Sequence, residues 1–131
     1  MSTLESPVKQ LSKTQSEVFA FLSDFNNFKH LMPEQVIDWT SESDKCRFTI
    51  KGMAELGLKF AEKRPESFIK MVPDGKVPFD LSIDSHISES GGNTFLKLVL
   101  NADLNPFIKL MAEKPLQNFI NMLAGKAAEI L

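Results

Sequence analysis

The chain has 131 residues, a length typical of one domain with one buried core. Apolar residues make up 43% and charged residues 24%, which excludes a disordered, fibrous or low-complexity chain. Lys and Arg number 15 against 17 Asp and Glu, so the net charge is −2 and we expect no nucleic-acid partner. We therefore predict a single domain over residues 1–131.

The cysteine count and the apolar runs bear on the cellular compartment. One Cys cannot form an internal disulfide, and no charged segment followed by an apolar run opens the chain, so no signal peptide is predicted. No uncharged apolar stretch approaches the roughly 20 residues needed to cross a bilayer. We expect a cytoplasmic protein without integral membrane association.

The N-terminal part predicts one short edge strand within residues 3–11 and then two short helices. Thr14 and Glu17 are three apart just before an apolar run, which is the pattern of a capping box at a helix start. Turn-forming side chains interrupt this helix at residues 24–27, and Pro33 closes the second one.

From residue 36 to residue 103 the apolar pattern has a period of two and predicts six strands in a meander. Ile37 and Trp39 are predicted to share one face of the first of these strands. Gly91 and Gly92 fall in the last turn, where they tolerate positive φ. The strand over residues 67–72 is ambiguous, because placing Ile69 and Met71 inward leaves the neighbouring Phe outward; a bulge there would resolve the conflict.

The C-terminal part predicts a long amphipathic helix. Asn105 caps exposed amides, and Pro106 at the first helical position loses no hydrogen bond. Apolar residues recur at spacings of three and four from Phe107 onward, so one broad face is apolar. Pro115 lies inside this pattern and is predicted to kink or break the helix.

This β-α-α-β6-α order predicts an α+β fold in which the long helix packs across the concave face of a seven-stranded curved antiparallel sheet. Four segments carry signals typical of one known fold: residues 16–24, Phe28 with Leu31-Met32-Pro33, residues 46–52 and residues 102–107. Together with the element order, they resemble the helix-grip fold of the START-like superfamily, also called SRPBCC, and in particular its small uncharacterised bacterial members. The resemblance implies a hydrophobic ligand between sheet and helix.

Catalytic chemistry is not predicted. Nearly every Asp and Glu falls in a turn, a cap or an outward strand position, so no acid pair converges. His30 and His86 have no metal-ligand spacing with Cys46, and alternation turns Cys46 inward as a small buried hydrophobe. We therefore predict no catalytic residue, no metal and no cofactor.

Two surface features are predicted on the outer face of the sheet. Arg47, Lys51, Lys59 and Lys63 would form a basic stripe, which is either a solvated face or a surface for an anionic partner. A second set of outward apolar residues would mark a weak homodimer contact if its members were contiguous. That set is Phe68, Phe95 and Val99.

The predicted interior is rich in large apolar side chains, with eleven Phe, one Trp and no Tyr. Such walls favour a cavity that sequesters a hydrophobic or amphipathic small molecule, lipid-like or polycyclic, although the same side chains would also fill a core. Two alternatives stay open: an enzyme resembling polyketide cyclases, and an interaction module resembling chaperone-ATPase activators. The candidate wall residues are Trp39, Phe48, Ile50, Leu58, Phe60, Phe79, Leu81, Ile83, Leu98, Leu100, Phe107, Met111, Phe119, Ile120 and Leu123.

Overall fold

The computed structural model describes residues 2–131, and within them it has eight strands, three α-helices and one 3-10 turn. The strands are β1 Ser2–Glu5, β2 Lys9–Leu11, β3 Val36–Ser41, β4 Lys45–Ile50, β5 Ala54–Arg64, β6 Phe68–Pro73, β7 Leu81–Ser90 and β8 Asn93–Ala102. The helices are α1 Gln15–Leu22, α2 Phe25–Phe28 and α3 Pro106–Ile130, and the 3-10 turn is Lys29–Leu31.

All strands join one antiparallel sheet in the order β1-β8-β7-β6-β5-β4-β3, with β2 also paired to β8. The inward residues of the sheet and the apolar side chains of α1 and α3 form one buried cluster. The predicted α+β architecture, in which a long C-terminal helix covers an antiparallel sheet, is therefore confirmed.

The first predicted strand is interrupted, which is why the sheet has eight strands rather than seven. Pro7 has no N–H, and β1 and β2 pair with β8 on either side of it. Ser6 bridges the gap: its N–H donates to the Leu98 carbonyl at 2.8 Å, and its Oγ accepts from the Leu98 N–H at 2.9 Å. The hydroxyl thus replaces a backbone acceptor of the ladder.

The capping box before α1 is confirmed. Thr14 Oγ1 accepts from the Glu17 N–H at 3.2 Å, and Glu17 Oε1 accepts from the Thr14 N–H at 3.2 Å. These hydrogen bonds from the Thr14 backbone and side chain favour the carboxylate and lower the pKa of Glu17. The start of the helix is therefore fixed by two reciprocal contacts.

The bulge suggested for residues 67–72 is absent from that strand, and the register shift lies in the partner strand β5. Phe60 pairs with Met71 and Glu62 with Lys70, so the register shifts at Ala61. After this bulge, the β5 side chains that were predicted to point outward lie on the opposite side of the sheet.

This reversal corrects the predicted orientation of Lys63, whereas Phe68 keeps its predicted outward side and is covered there by other side chains. Lys63 leaves the outer face, and its Nζ donates to the Ser23 carbonyl at 2.9 Å. Phe68, predicted to be an outward dimer contact, is 7% exposed, because the Arg64 guanidinium lies 4.3 Å above its ring and His86 lies beside it. Phe68 therefore does not form an exposed patch with Phe95 and Val99.

A second irregularity lies in β3. Asp38 has φ of 55°, and the register with β4 shifts between Ile37 and Thr40. The prediction that Ile37 and Trp39 share a face is wrong for this reason, since Ile37 is turned to solvent while Trp39 stacks on Phe48 in the interior.

The C-terminal helix begins as predicted but is not broken. Asn105 Oδ1 accepts from the Ile108 N–H at 2.9 Å, which caps α3 ahead of Pro106. The helix then continues through Pro115 to Ile130. Because proline has no N–H, the Met111 carbonyl lacks its i+4 donor there. Within the described residues, no helix is long and apolar enough to cross a membrane.

Candidate functional site

The predicted wall residues fall into three groups. Trp39 and Phe60 are half-buried against the core, whereas Phe107 and Met111 are 73% and 63% exposed on the first turns of α3. The other eleven are fully buried side by side in the cluster between sheet and helices. They are Phe48, Ile50, Leu58, Phe79, Leu81, Ile83, Leu98, Leu100, Phe119, Ile120 and Leu123.

The exposed pair lies beside an apolar pocket of about 220 Å³ between α3 and the end of the β4–β5 hairpin. Phe79 and Met53 supply the opposite wall, so three of the candidate wall residues, Phe79, Phe107 and Met111, lie around this one pocket. The complete lining is Gly52, Met53, Ala54, Pro78, Phe79, Phe107, Ile108, Met111 and Ala112.

A second pocket of about 190 Å³ continues along the same side of α3. The two pockets are lined by neighbouring parts of the same elements, since Lys51 and Gly52 are consecutive and Pro115 lies one helical turn beyond Met111. We call the two together the α3 groove. The lining of the second pocket is Pro33, Gln35, Ile50, Lys51, Pro115, Asn118 and Phe119.

Backbone hydrogen bonds hold the sheet side of the groove in place. The Lys51 N–H donates to the Gln35 carbonyl at 2.8 Å, and the Met53 N–H donates to the Ile50 carbonyl at 3.0 Å. Gly52 has φ of 77°, a left-handed conformation that side chains rarely adopt, so a glycine suits this tight turn. The turn thereby directs Lys51 to one pocket and Met53 to the other.

Three aromatic rings connect the groove to the interior. Phe119, which lines the second pocket, stacks on Phe48 at 5.7 Å between centroids, and Phe48 stacks on Trp39 at 5.4 Å. The Trp39 Nε1 atom is buried and has no hydrogen-bond partner among the described residues. The lining of the second pocket is therefore continuous with an aromatic stack that ends at the single tryptophan.

The reactive residue types lie apart from the groove. Burial raises the pKa of the Cys46 thiol to about 12, so the group stays protonated and unreactive near neutral pH. His30 and His86 are exposed on the short 3-10 turn and on β7, respectively. Among residues 2–131, no group of three or more His, Cys, Asp and Glu side chains is placed to hold a metal.

The predicted basic stripe does not assemble. Arg47 Nε lies 2.7 Å from Glu55 Oε1, and its Nη1 donates to the Asp74 carbonyl at 3.1 Å. This contact requires glycine at residue 57, where a Cβ would lie 2.4 Å from the Asp74 oxygen. Lys51 lies in the groove, and Lys63 contacts Ser23 on the other side of the sheet. Lys59 therefore shares the outer face with Arg47 alone of the predicted set, and Arg47 is already paired with Glu55.

Sequence reasoning missed several groove residues. Lys51 was predicted on the outer face of the sheet, although β4 ends at Ile50 and Lys51 lies in the turn that follows. A usable signal was present on α3, where Ile108, Ala112, Pro115 and Phe119 recur at spacings of four, three and four along one face. The missed lining residues are Gln35, Lys51, Gly52, Met53, Ala54, Pro78, Ile108, Ala112, Pro115 and Asn118, with Pro33 at the edge.

Solved structures with the same architecture cover nearly the whole chain. A START superfamily protein from Mycobacterium smegmatis aligns with a TM-score of 0.67 and 14% identity over 98% of this chain and 99% of that one. The Aha1 dimer from Colwellia psychrerythraea aligns with a TM-score of 0.66 and 14% identity over 99% and 98%. The KanY protein aligns with a TM-score of 0.76 and 9% identity over 98% and 97%.

These likenesses show that the chain has the START-like, SRPBCC-type helix-grip fold. No protein-family model matches the sequence, and neither does any curated protein. Because the identities are low and unrelated functions share one fold, the likenesses identify the architecture and leave the ligand to the chemistry of the site.

Proposed function

We propose that the protein binds a hydrophobic or amphipathic small molecule in the α3 groove, between the C-terminal helix and the sheet. The observation that carries this proposal is the apolar pocket beside two exposed large side chains, Phe107 and Met111, with Met53 and Phe79 opposite them. Exposed apolar surface next to a concave apolar wall is typical of a ligand site.

The affinity would come mainly from removing apolar surface from water. Each Å² of apolar surface that becomes buried contributes about 25 cal/mol, so a chain of several methylene groups suffices for measurable binding. Phe119 and the aromatic stack behind it extend the site toward the interior. The eight buried wall residues that do not line the groove stay predicted contacts for a ligand that enters more deeply.

The test is a native-state titration with a polarity-sensitive apolar dye, followed by displacement with a long-chain acyl or polycyclic compound. Met111→Ser should weaken dye binding about fivefold, because it removes roughly 1 kcal/mol of apolar contact. Leu110→Ser is the matched control: Leu110 is the adjacent residue and 87% exposed, and it does not line the pocket. Absence of dye binding to cooperatively folded protein would refute the proposed function.

A second candidate is an interaction module that uses the outer surface of α3. Leu110 favours it, since this large apolar side chain projects into solvent away from the groove. On this proposal a second copy of the chain covers Leu110 in a weak homodimer. Sedimentation equilibrium of the protein and of Leu110→Ser tests this candidate. A dimer that forms through Leu110 should have a larger dissociation constant in the variant, whereas a dimer that forms through another surface should keep the same one.

The cyclase-like alternative requires groups that move protons inside the pocket. The described residues that line the apolar pocket carry no ionisable side chain, so nothing there favours this alternative.

We further propose that residues 1–131 form one domain, which one sheet and one buried cluster support. A cytoplasmic location is proposed because one buried cysteine suits a reducing compartment.

A further inference from the structure

The two ends of the α3 groove differ in chemistry. At the Phe107 end the walls are Met53, Phe79 and Met111, which offer apolar surface without charge. At the Phe119 end the lining includes Lys51, Gln35 and Asn118, whose side chains carry an ammonium group and two amides. An occupant that fits both ends must itself have an apolar part and a polar part.

The charge at the polar end has one sign. Among the described residues that line the groove, Lys51 is the one with an ionisable side chain, and within residues 2–131 it forms no salt bridge. The Lys51 side chain is exposed, so its ammonium group is accessible to a ligand at the mouth of the groove. Charge complementarity therefore favours an anionic head group.

The dimensions of the groove favour a single chain. Its helical side runs from Ile108 to Phe119, which spans roughly 17 Å at 1.5 Å per residue. The pockets of about 220 Å³ and about 190 Å³ lie end to end, an arrangement suited to an extended molecule rather than a broad ring system.

We propose that the α3 groove selects a single-chain amphipathic carboxylate, such as a free fatty acid. The hydrocarbon chain lies against Met53, Phe79 and Met111, and the carboxylate accepts hydrogen bonds from Lys51 Nζ and from the side-chain amides of Gln35 and Asn118. This assignment of ligand class rests on the proposed function, because it requires the groove to bind an apolar chain at all.

Three amphiphiles of equal chain length test the head group: dodecanoate, dodecanol and dodecylammonium, each titrated by calorimetry at pH 8 and low salt below its micellar concentration. Dodecanoate should bind about fivefold more tightly than dodecanol, as expected for one partly exposed charge pair. Dodecylammonium should bind more weakly than dodecanol because Lys51 repels it.

The variants locate the effect. Lys51→Met keeps an unbranched side chain without the charge and should remove most of the preference for dodecanoate over dodecanol, leaving at most the contribution of the two amides. Lys59→Met is the matched control, since Lys59 is exposed on β5 and lies outside the groove; it should keep the fivefold preference. Adding 0.5 M NaCl should reduce the preference in the unmodified protein by screening.

The outcomes separate this inference from the proposed function. Equal binding of dodecanoate and dodecanol to the unmodified protein overturns the carboxylate assignment and leaves the proposed function standing. A preference that persists undiminished in Lys51→Met overturns it as well. Failure of all three amphiphiles and of the apolar dye to bind refutes the proposed function itself.

Discussion

The two halves of α3 have similar apolar content and opposite environments. In the first half, Phe107, Leu110 and Met111 are between 63% and 87% exposed. In the second half, Leu116 and Ile120 are fully buried against the sheet. One continuous helix thus covers the core with its C-terminal turns and presents apolar side chains to solvent with its N-terminal turns.

This difference indicates that the two halves of α3 have different roles. Burial of the second half stabilises the fold through close packing. The first half buries Ala112 and leaves its larger side chains for the pocket and the outer surface. Stability and ligand binding should therefore respond to different substitutions in the same helix.

The largest expected effect is on the buried half. Ile120→Ala removes a fully buried side chain and should lower the free energy of unfolding by about 2–5 kcal/mol, through lost apolar burial and the cavity left behind. Leu110→Ala, on the exposed half, should change it by less than about 0.5 kcal/mol. Urea denaturation measures the free energy of unfolding of both variants. Similar decreases in the two variants would contradict the different roles of the two halves.

The junction between the halves gives the next effect. Pro115→Ala restores an N–H for the Met111 carbonyl and should raise the free energy of unfolding by about 1–3 kcal/mol. Because the segment also becomes stiffer, stopped-flow exchange of a bound fluorescent ligand should slow more than the affinity changes. Unchanged rates in the folded variant would leave Pro115 with a purely geometric role.

The cap of the exposed half should have a smaller effect. Asn105→Ala removes the acceptor for the Ile108 N–H and should lower the free energy of unfolding by about 1 kcal/mol. Amide hydrogen exchange should increase over the first turns of α3, while residues after Leu116 stay protected. Uniform loss of protection along the helix would show that the two halves open together.

The smallest effect concerns charged pairs on the solvent side of each half. Lys109 lies 3.5 Å from Glu113 in the first half, and Lys126 lies 3.7 Å from Glu129 in the second. Lys109→Ala and Lys126→Ala should each cost about 0.3–0.5 kcal/mol at low salt and less at high salt. A large difference between them would show that charge, as well as apolar burial, separates the halves.

Local signals in the sequence predicted local structure well. Thr14 with Glu17 and Asn105 with Pro106 predicted two helix starts, because a cap depends on atoms a few residues apart. The period-two pattern likewise predicted the meander and the inward faces of β4, β7 and β8. Each of these depends on contacts between near neighbours.

Features that depend on pairing between strands were not predictable in the same way. The bulge at Ala61 moves Lys63 to the other side of the sheet, and the positive φ of Asp38 turns Ile37 outward. Neither an alanine nor an aspartate in a strand sequence predicts a shift of register. The periodicity of α3 identified its apolar face and could not say which turns the sheet covers. Phe107 and Met111 therefore matched the pattern of core residues but lie at a surface pocket.

The interruptions of the two outermost strands have a consequence for how copies of this chain behave in a crowded cell. An open sheet offers unpaired backbone groups along its edges, and a long straight edge invites another chain to add to it and start an aggregate. One edge is divided at Ser6–Val8 by a proline, and the other is distorted at Asp38 by a left-handed residue. Neither edge presents a long uninterrupted ladder, so the irregularities that sequence reasoning missed also protect the sheet from growing beyond one molecule.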